Sequence, residues 1–200
     1  MKKTPAALIL MAFGMLALSG HVLAQDHGGD AQFLDLDAEF LGLLDLTRAG
    51  QSAPDIQFLD GQGQRMTLRD FTGTALVVNF WATWCAPCIA EMPALDRLNQ
   101  GLLPTGGQVI AINTDFDPDA AQAWLQDNQI MGLEAFFDDT GNAFFDAGGG
   151  GLPYSLIIDA QGMIVAEIFG DAPWDTPAAL AYVRELGGKP SCLPLICPQG

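Results

Sequence analysis

The chain has 200 residues, half of them hydrophobic, and its 24 acidic side chains outnumber its 8 Lys and Arg, for a formal net charge of −16. Such an acidic chain is unsuited to bind nucleic acid or an anionic membrane surface, because both repel negative charge. Its length and apolar content are enough for one domain with a substantial core.

The N-terminal segment has the pattern of a secretory signal. Lys2 and Lys3 precede an apolar stretch over residues 6–18, and the small-residue pattern ends at Ala24. We predict that residues 1–24 are a cleaved signal peptide. An uncleaved membrane anchor is the alternative, although the apolar stretch is short for a full span. Export would place the chain in an oxidising compartment, where disulfides persist.

Residues 25–52 are interpreted as an acidic leader that precedes a compact domain over residues 53–188. The spacing of Leu and Phe between Phe33 and Leu46 favours a short amphipathic helix. This helix either docks on the domain or seats a partner, and docking is the favoured alternative. The domain is predicted to begin with a β-hairpin, whose strands cover residues 56–59 and 65–68 around a turn.

Two cysteines follow the most apolar strand of the sequence. The run over residues 75–81, apolar except for Asn79, predicts a buried central strand, and a helical pattern over residues 85–99 comes directly after it. Cys85 and Cys88 therefore fall at a strand-to-helix junction, where unpaired N–H groups and the helix dipole favour a thiolate. Half a zinc site or two buried thiols are the alternatives to a redox pair. The strand before the pair, Trp84 in front of it and Pro87 within it favour the redox pair.

The remaining elements alternate in type before ending in a second hairpin. We predict a strand over residues 108–113, a helix over 117–128, a short strand over 135–137, a hairpin over 154–169 and a final helix over 176–186. A parallel half followed by an antiparallel hairpin predicts an α/β, thioredoxin-like fold, with a central mixed β-sheet flanked by helices.

The chain resembles the TlpA/ResA family of extracytoplasmic thiol–disulfide oxidoreductases. The resemblance is carried by the segment from Asn79 to Cys88, by Glu91 and Pro93, by Gly151-Leu152-Pro153 and by the strand and turn over residues 156–162. It covers roughly residues 53–188. It implies a thioredoxin fold, a periplasmic location and a reducing role on selected substrates, such as those of cytochrome c or copper-oxidase maturation.

The resemblance also implies roles for individual residues. Cys85 would be the attacking thiolate and Cys88 the more shielded thiol that resolves the mixed disulfide. Glu91 lies three residues after Cys88 on the same helix face, so burial of that face would raise its pKa and let it handle protons. A solvated Glu91 is the alternative. Pro153 corresponds to the family's cis-proline, and the residues expected to contact substrate are Trp84, Ala86, Pro87, Leu152 and Pro153.

A second cysteine pair, Cys192 and Cys197, lies in the tail over residues 189–200. In an oxidising compartment these two residues favour a structural disulfide that closes a small loop. A second redox pair and a metal site remain as alternatives.

The implied partners are disulfide-bearing periplasmic proteins and a membrane thiol donor of the DsbD/CcdA kind, and we expect a monomer. We assign no cofactor and no metal. The alternative function is a copper(I) metallochaperone of thioredoxin-like fold, because Cu(I) favours thiolates. The only two histidines, His21 and His27, lie in the predicted signal and leader, which disfavours that alternative.

Overall fold

Residues 37–187 are described by a computed structural model, and their strands form one seven-stranded sheet. The predicted signal, the first part of the leader and the tail with Cys192 and Cys197 lie outside these residues. The strands are β1 (Gln57–Leu59), β2 (Arg65–Thr67), β3 (Ala75–Trp81), β4 (Gly107–Asn113), β5 (Phe136–Phe137), β6 (Tyr154–Ile158) and β7 (Ile164–Phe169). The α-helices are α1 (residues 37–42), α2 (Ala86–Leu102), α3 (Pro118–Asp127), α4 (Ala143–Asp146) and α5 (Pro177–Leu186).

The sheet is mixed, with the order β2-β1-β5-β4-β3-β6-β7. Strands β3, β4 and β5 run parallel, whereas β6 pairs antiparallel with β3 and β7 pairs antiparallel with β6. The β1–β2 hairpin joins the other side through an antiparallel pairing of β1 with β5. This topology confirms the predicted α/β, thioredoxin-like fold.

The central strand β3 is buried along its whole length because both faces of the sheet are covered. Successive side chains of a strand point to opposite faces. Ala75, Val77 and Trp81 therefore join the core cluster that contains α2 and α5, while the intervening apolar residues join the cluster on the other face. The dithiol helix α2 is thus seated on a rigid, doubly covered strand.

Helix α2 extends three residues beyond its predicted end at Asn99, so Gly101 lies inside the helix and not after it. A Cβ at Gly101 would come within 2.9 Å of Leu180 Cδ1, so the absence of a side chain lets α2 and α5 approach closely. Pro93 is exposed and also lies inside the continuous helix. The glycine that closes this region in the left-handed conformation is Gly106, at the end of the 3₁₀ turn that follows α2.

Apart from shifts of one residue at element ends, the structure also differs from the prediction in one short helix and at the end of one strand. The short helix α4 was not predicted, because its four residues are too few to show a helical period. The return strand β2 ends at Thr67, and Leu68 begins a 3₁₀ turn whose start is capped by the side chain of Asp70.

The leader docks on the domain. Phe40 of α1 is fully buried and packs edge-on against Trp174 and Tyr182, at centroid distances of 5.7 and 6.1 Å. Residues 45–53 then run along the free edge of β7, where Asp45 and Glu167 exchange two backbone hydrogen bonds of 2.9 Å. The segment covers an edge that would otherwise be open to pairing with another chain. Among the helices of residues 37–187, none combines the length and apolarity needed to cross a bilayer.

Candidate active site

Cys85 is the N-cap residue of α2 and is joined to Cys88 by a disulfide. Its extended backbone ends the loop after β3, and the Cys88 backbone N–H donates to Cys85 Sγ at 3.3 Å. Pro87 occupies the first turn, where it has no N–H bond to lose. In the reduced protein the same N–H and the helix dipole stabilise negative charge on Cys85 Sγ, so the position favours a thiolate.

The two cysteines differ in access, although both are buried. Cys85 is 5% exposed and Cys88 is fully enclosed. Trp84, Ala86 and Pro87 surround them on the outside, and Trp84 is 71% exposed. A reagent from solvent therefore reaches Cys85 more readily than Cys88.

The segment before β6 lies at the same end of the sheet as the dithiol. Tyr154 pairs with Phe80 near the carboxyl end of β3, so Leu152 and Pro153 stand beside the residues that follow β3. The Leu152–Pro153 peptide bond is cis. Leu152 is half-buried and packs against the core cluster that contains both cysteines. The Pro153 carbonyl accepts a hydrogen bond from Gly170 N–H at 3.0 Å.

The loop behind Trp84 is fastened by a residue that the sequence did not single out. Asp115, just after β4, accepts the backbone N–H of Thr83 and the side-chain amide of Asn113, both at 3.0 Å. Because β3 and β4 are parallel neighbours, the residues after both strands meet at one edge. That topology is the signal from which the contact could have been found.

Glu91 is buried on the inner face of α2, and three donors surround its carboxylate. Asn79 Nδ2 donates to Oε1 at 2.9 Å, while Ala172 N–H and Trp174 Nε1 donate to Oε2 at 3.0 and 2.8 Å. Asn79 also donates to Ser155 Oγ at 3.0 Å on the neighbouring strand β6. The carboxylate thus links α2, β3 and the corner between β7 and α5.

Burial raises the pKa of Glu91 to about 7. The hydrogen bonds from Ala172, Asn79 and Trp174 oppose this rise by stabilising the charged form, and the nearby Asp171 adds to it. A carboxyl group with such a pKa can both give and take a proton near neutral pH. Of its donors, Ala172 and Trp174 lie more than 80 residues away in the chain, and no local pattern marks them.

The four-glycine run has a specific structural requirement at two positions. Gly148 has a positive φ of 101°, and a Cβ there would come within 2.6 Å of an Arg48 guanidinium nitrogen. A Cβ at Gly149 would lie 2.1 Å from the Phe144 ring. Gly150 and Gly151 have neither a positive φ nor a close neighbour.

Within residues 37–187, no group of three His, Cys, Asp or Glu side chains is arranged to hold a metal ion. The site combines three features: a disulfide at a helix N-cap, a cis-proline at the same sheet edge and a buried glutamate on the dithiol helix. They define a thioredoxin-like thiol–disulfide oxidoreductase.

Comparison with known proteins agrees with this class. Residues 48–183 match the model of the Redoxin family, and the chain belongs to that family. The chain is 31% identical over 122 residues to the thiol-disulfide oxidoreductase ResA of Bacillus thuringiensis subsp. konkukian, covering 61% of this chain and 70% of the relative. It is also 31% identical over 148 residues to the thiol:disulfide interchange protein DsbE of Vibrio cholerae, covering 72% and 78%.

A solved structure shows the same likeness. The putative thiol:disulfide interchange protein DsbE from Chlorobium tepidum has a TM-score of 0.60 and 28% identity, covering 68% of this chain and 97% of that one. Together with the two relatives, it confirms the resemblance to the TlpA/ResA family.

Proposed function

We propose that the protein acts outside the cytoplasm, where it reduces disulfides in selected periplasmic proteins through Cys85 and Cys88. The observation that carries the proposal is the position of Cys85 Sγ at the N-cap of α2, 3.3 Å from the Cys88 N–H. A thiolate stabilised in this way is both the attacking group and a good leaving group. The signal-like pattern over residues 1–24 supports export.

In the proposed reaction the reduced protein, with Cys85 as a thiolate and Cys88 as a thiol, supplies two electrons and one proton. The Cys85 thiolate attacks one sulfur of the substrate disulfide, which forms a mixed disulfide and releases the other substrate sulfur as a thiolate. Cys88 passes its proton to the Glu91 carboxylate and attacks Cys85 Sγ. The Cys85–Cys88 disulfide forms and the second substrate sulfur leaves as a thiolate. Glu91 gives the proton to this leaving thiolate, and the first substrate thiolate takes its proton from solvent. A membrane thiol donor of the DsbD/CcdA kind then reduces the disulfide again.

The substrate surface is proposed to consist of Trp84, Ala86 and Pro87 on one side and of Leu152 and Pro153 on the other. The exposure of Trp84 and the position of the cis-proline at the same sheet edge support this assignment.

Resemblance to the TlpA/ResA family supports substrates of cytochrome c or copper-oxidase maturation. We propose that the protein acts as a monomer.

The test is disulfide reduction by the mature protein with a dithiol donor in excess. We expect Cys85→Ser to reduce the rate to background, because Cys85 supplies the thiolate at the helix start. Cys192→Ser is the matched control and should keep at least part of the activity. In a separate experiment with the donor removed, pre-reduced Cys88→Ala should form mixed disulfides but not resolve them, so substrates stay attached to Cys85 and can be recovered. Full activity of Cys85→Ser would refute the proposal.

A further inference from the structure

The indole of Trp174 contacts Glu91, and the proposed reaction assigns no role to this contact. Trp174 is fully buried, and its Nε1 donates to Glu91 Oε2 at 2.8 Å. The same carboxylate oxygen accepts the Ala172 N–H, and the Trp174 backbone N–H closes the corner by donating to Ala172 O at 2.9 Å. The corner therefore presents two aligned donors to one oxygen.

The leader holds this indole in place. Phe40 packs edge-on against Trp174, and Asp37 Oδ1 accepts the Ala178 N–H at 2.9 Å near the start of α5. Ala178 lies four residues beyond Trp174, so α1 contacts both the indole and the start of the helix that follows it. Movement of the indole away from Glu91 would disturb its packing against Phe40 of α1.

We propose that Trp174 is a positioning residue: its indole, braced by Phe40 of the leader, holds the Glu91 carboxylate and controls when Glu91 takes up and releases its proton. This inference rests on the proposed function, in which Glu91 exchanges a proton with Cys88. It assigns to the leader a part in the chemistry of the dithiol, although the leader precedes the predicted domain.

The charges around Glu91 determine the direction of the expected effect. Asp171 faces it from the β7–α5 corner, and Glu39 of α1 lines the same open recess beside it. Asn79 faces it from β3 as a neutral donor, and the Cys85–Cys88 disulfide at the start of α2 carries no charge. The described groups around Glu91 thus include two carboxylates and no cation, and the anion depends on its three hydrogen-bond donors. Loss of one donor should raise the pKa of Glu91.

The experiment is a carboxyl titration of the oxidised full chain labelled with ¹³C-glutamate. The sequence has five glutamates, so their signals are few, and Glu91→Gln assigns the one in question. We expect Trp174→Phe to move the Glu91 midpoint upward by about one pH unit, the size expected for a hydrogen bond to a charged group. Trp124→Phe is the matched control, because Trp124 packs on Trp81 and has no bond to Glu91. It should leave the midpoint unchanged.

A folded Trp174→Phe protein whose Glu91 titrates as in the wild type would overturn the proposal. If that variant does not fold, Phe40→Ala provides the test, since it keeps the indole donor but removes its brace. A smaller upward shift is then expected, and no shift would count against the inference. The titration needs no turnover, so an inactive wild-type protein would refute the proposed function and leave this result readable.

Discussion

At the scale of single residues, Glu91 is the group whose behaviour depends most on its surroundings. It is 5% exposed, yet it is a carboxylate held by three donors. Desolvation outweighs those donors, and its pKa lies at about 7 and not at the usual 4.5. The folded protein therefore keeps a proton that the unfolded chain has already released between these two pH values.

This difference predicts a dependence of stability on pH. Because the folded state binds the extra proton, the free energy of unfolding should fall as pH rises from about 4.5 to about 7. Each pKa unit corresponds to about 1.36 kcal/mol, so the total fall is roughly 3 kcal/mol. Glu91→Gln should flatten this decline, since an amide does not titrate. Urea unfolding of the oxidised protein between pH 5 and pH 8 measures the effect.

The control for this measurement is Glu134→Gln, because Glu134 is exposed. It should reproduce the wild-type slope, which includes the contributions of all other carboxyl groups. A Glu91→Gln protein that loses stability with pH as steeply as the wild type would contradict the raised pKa.

At the scale of elements, the loop that leads to the cis-proline is shaped by aromatic packing. Phe144 packs against Phe80 and Tyr154, at centroid distances of 5.7 and 6.3 Å, so its ring lies over two neighbouring strands. The chain passes this ring at Gly149, where any Cβ would overlap it. The loop can take its course because position 149 has no side chain.

We predict that Gly149→Ala destabilises the protein by about 1–3 kcal/mol, the usual cost of an overpacked site. Gly150→Ala is the matched control, since it lies in the same loop with nothing within 4 Å of its Cβ position. Thermal or urea unfolding of both variants gives the comparison. Equal stability of the two would mean that the Phe144 ring moves aside freely.

At the scale of the whole molecule, Arg48 connects three parts of the chain. Its Nη1 donates to Ala147 O at 2.7 Å, in front of the glycine run, and to Glu167 Oε1 at 3.0 Å on β7. Tyr154, at the start of β6, shares this cluster through its hydroxyl. Burial raises the pKa of Tyr154, and the neighbouring Glu167 adds to the rise. The leader, the loop before the cis-proline and the last hairpin thus meet at one guanidinium.

Arg48→Met should destabilise the protein by about 3 kcal/mol, because it leaves the Glu167 carboxylate, 4% exposed, without its cation. Arg65→Met removes a comparable ion pair at the surface, where Arg65 and Asp139 are 49% and 26% exposed. That control should cost less than about 1 kcal/mol. Equilibrium unfolding at pH 7 compares the two. Similar losses would show that Arg48 acts only as a surface charge.

Much of the fold could be predicted from local pattern because the responsible forces are local or periodic. The apolar run of β3, Cys85 at the N-cap of α2, and Thr176 with Pro177 at the start of α5 each depend on neighbours within a few residues. The predicted end of α2 was wrong because the role of Gly101 depends on a residue that is distant in the sequence. Gly101 suggests a helix end in the local sequence, but it lies inside α2, where the absence of a side chain makes room for Leu180, far along the chain.

By itself, the sequence determined that a dithiol stands at a strand-to-helix junction in a thioredoxin-like chain. The strand period, the helix cap and the spacing of the two cysteines all depend on residues that are neighbours in the sequence. The tertiary structure alone decided the state of Glu91. Its proton affinity depends on exclusion of water and on donors from Asn79, Ala172 and Trp174, which reach it only once α2, β3 and the β7–α5 corner have packed together.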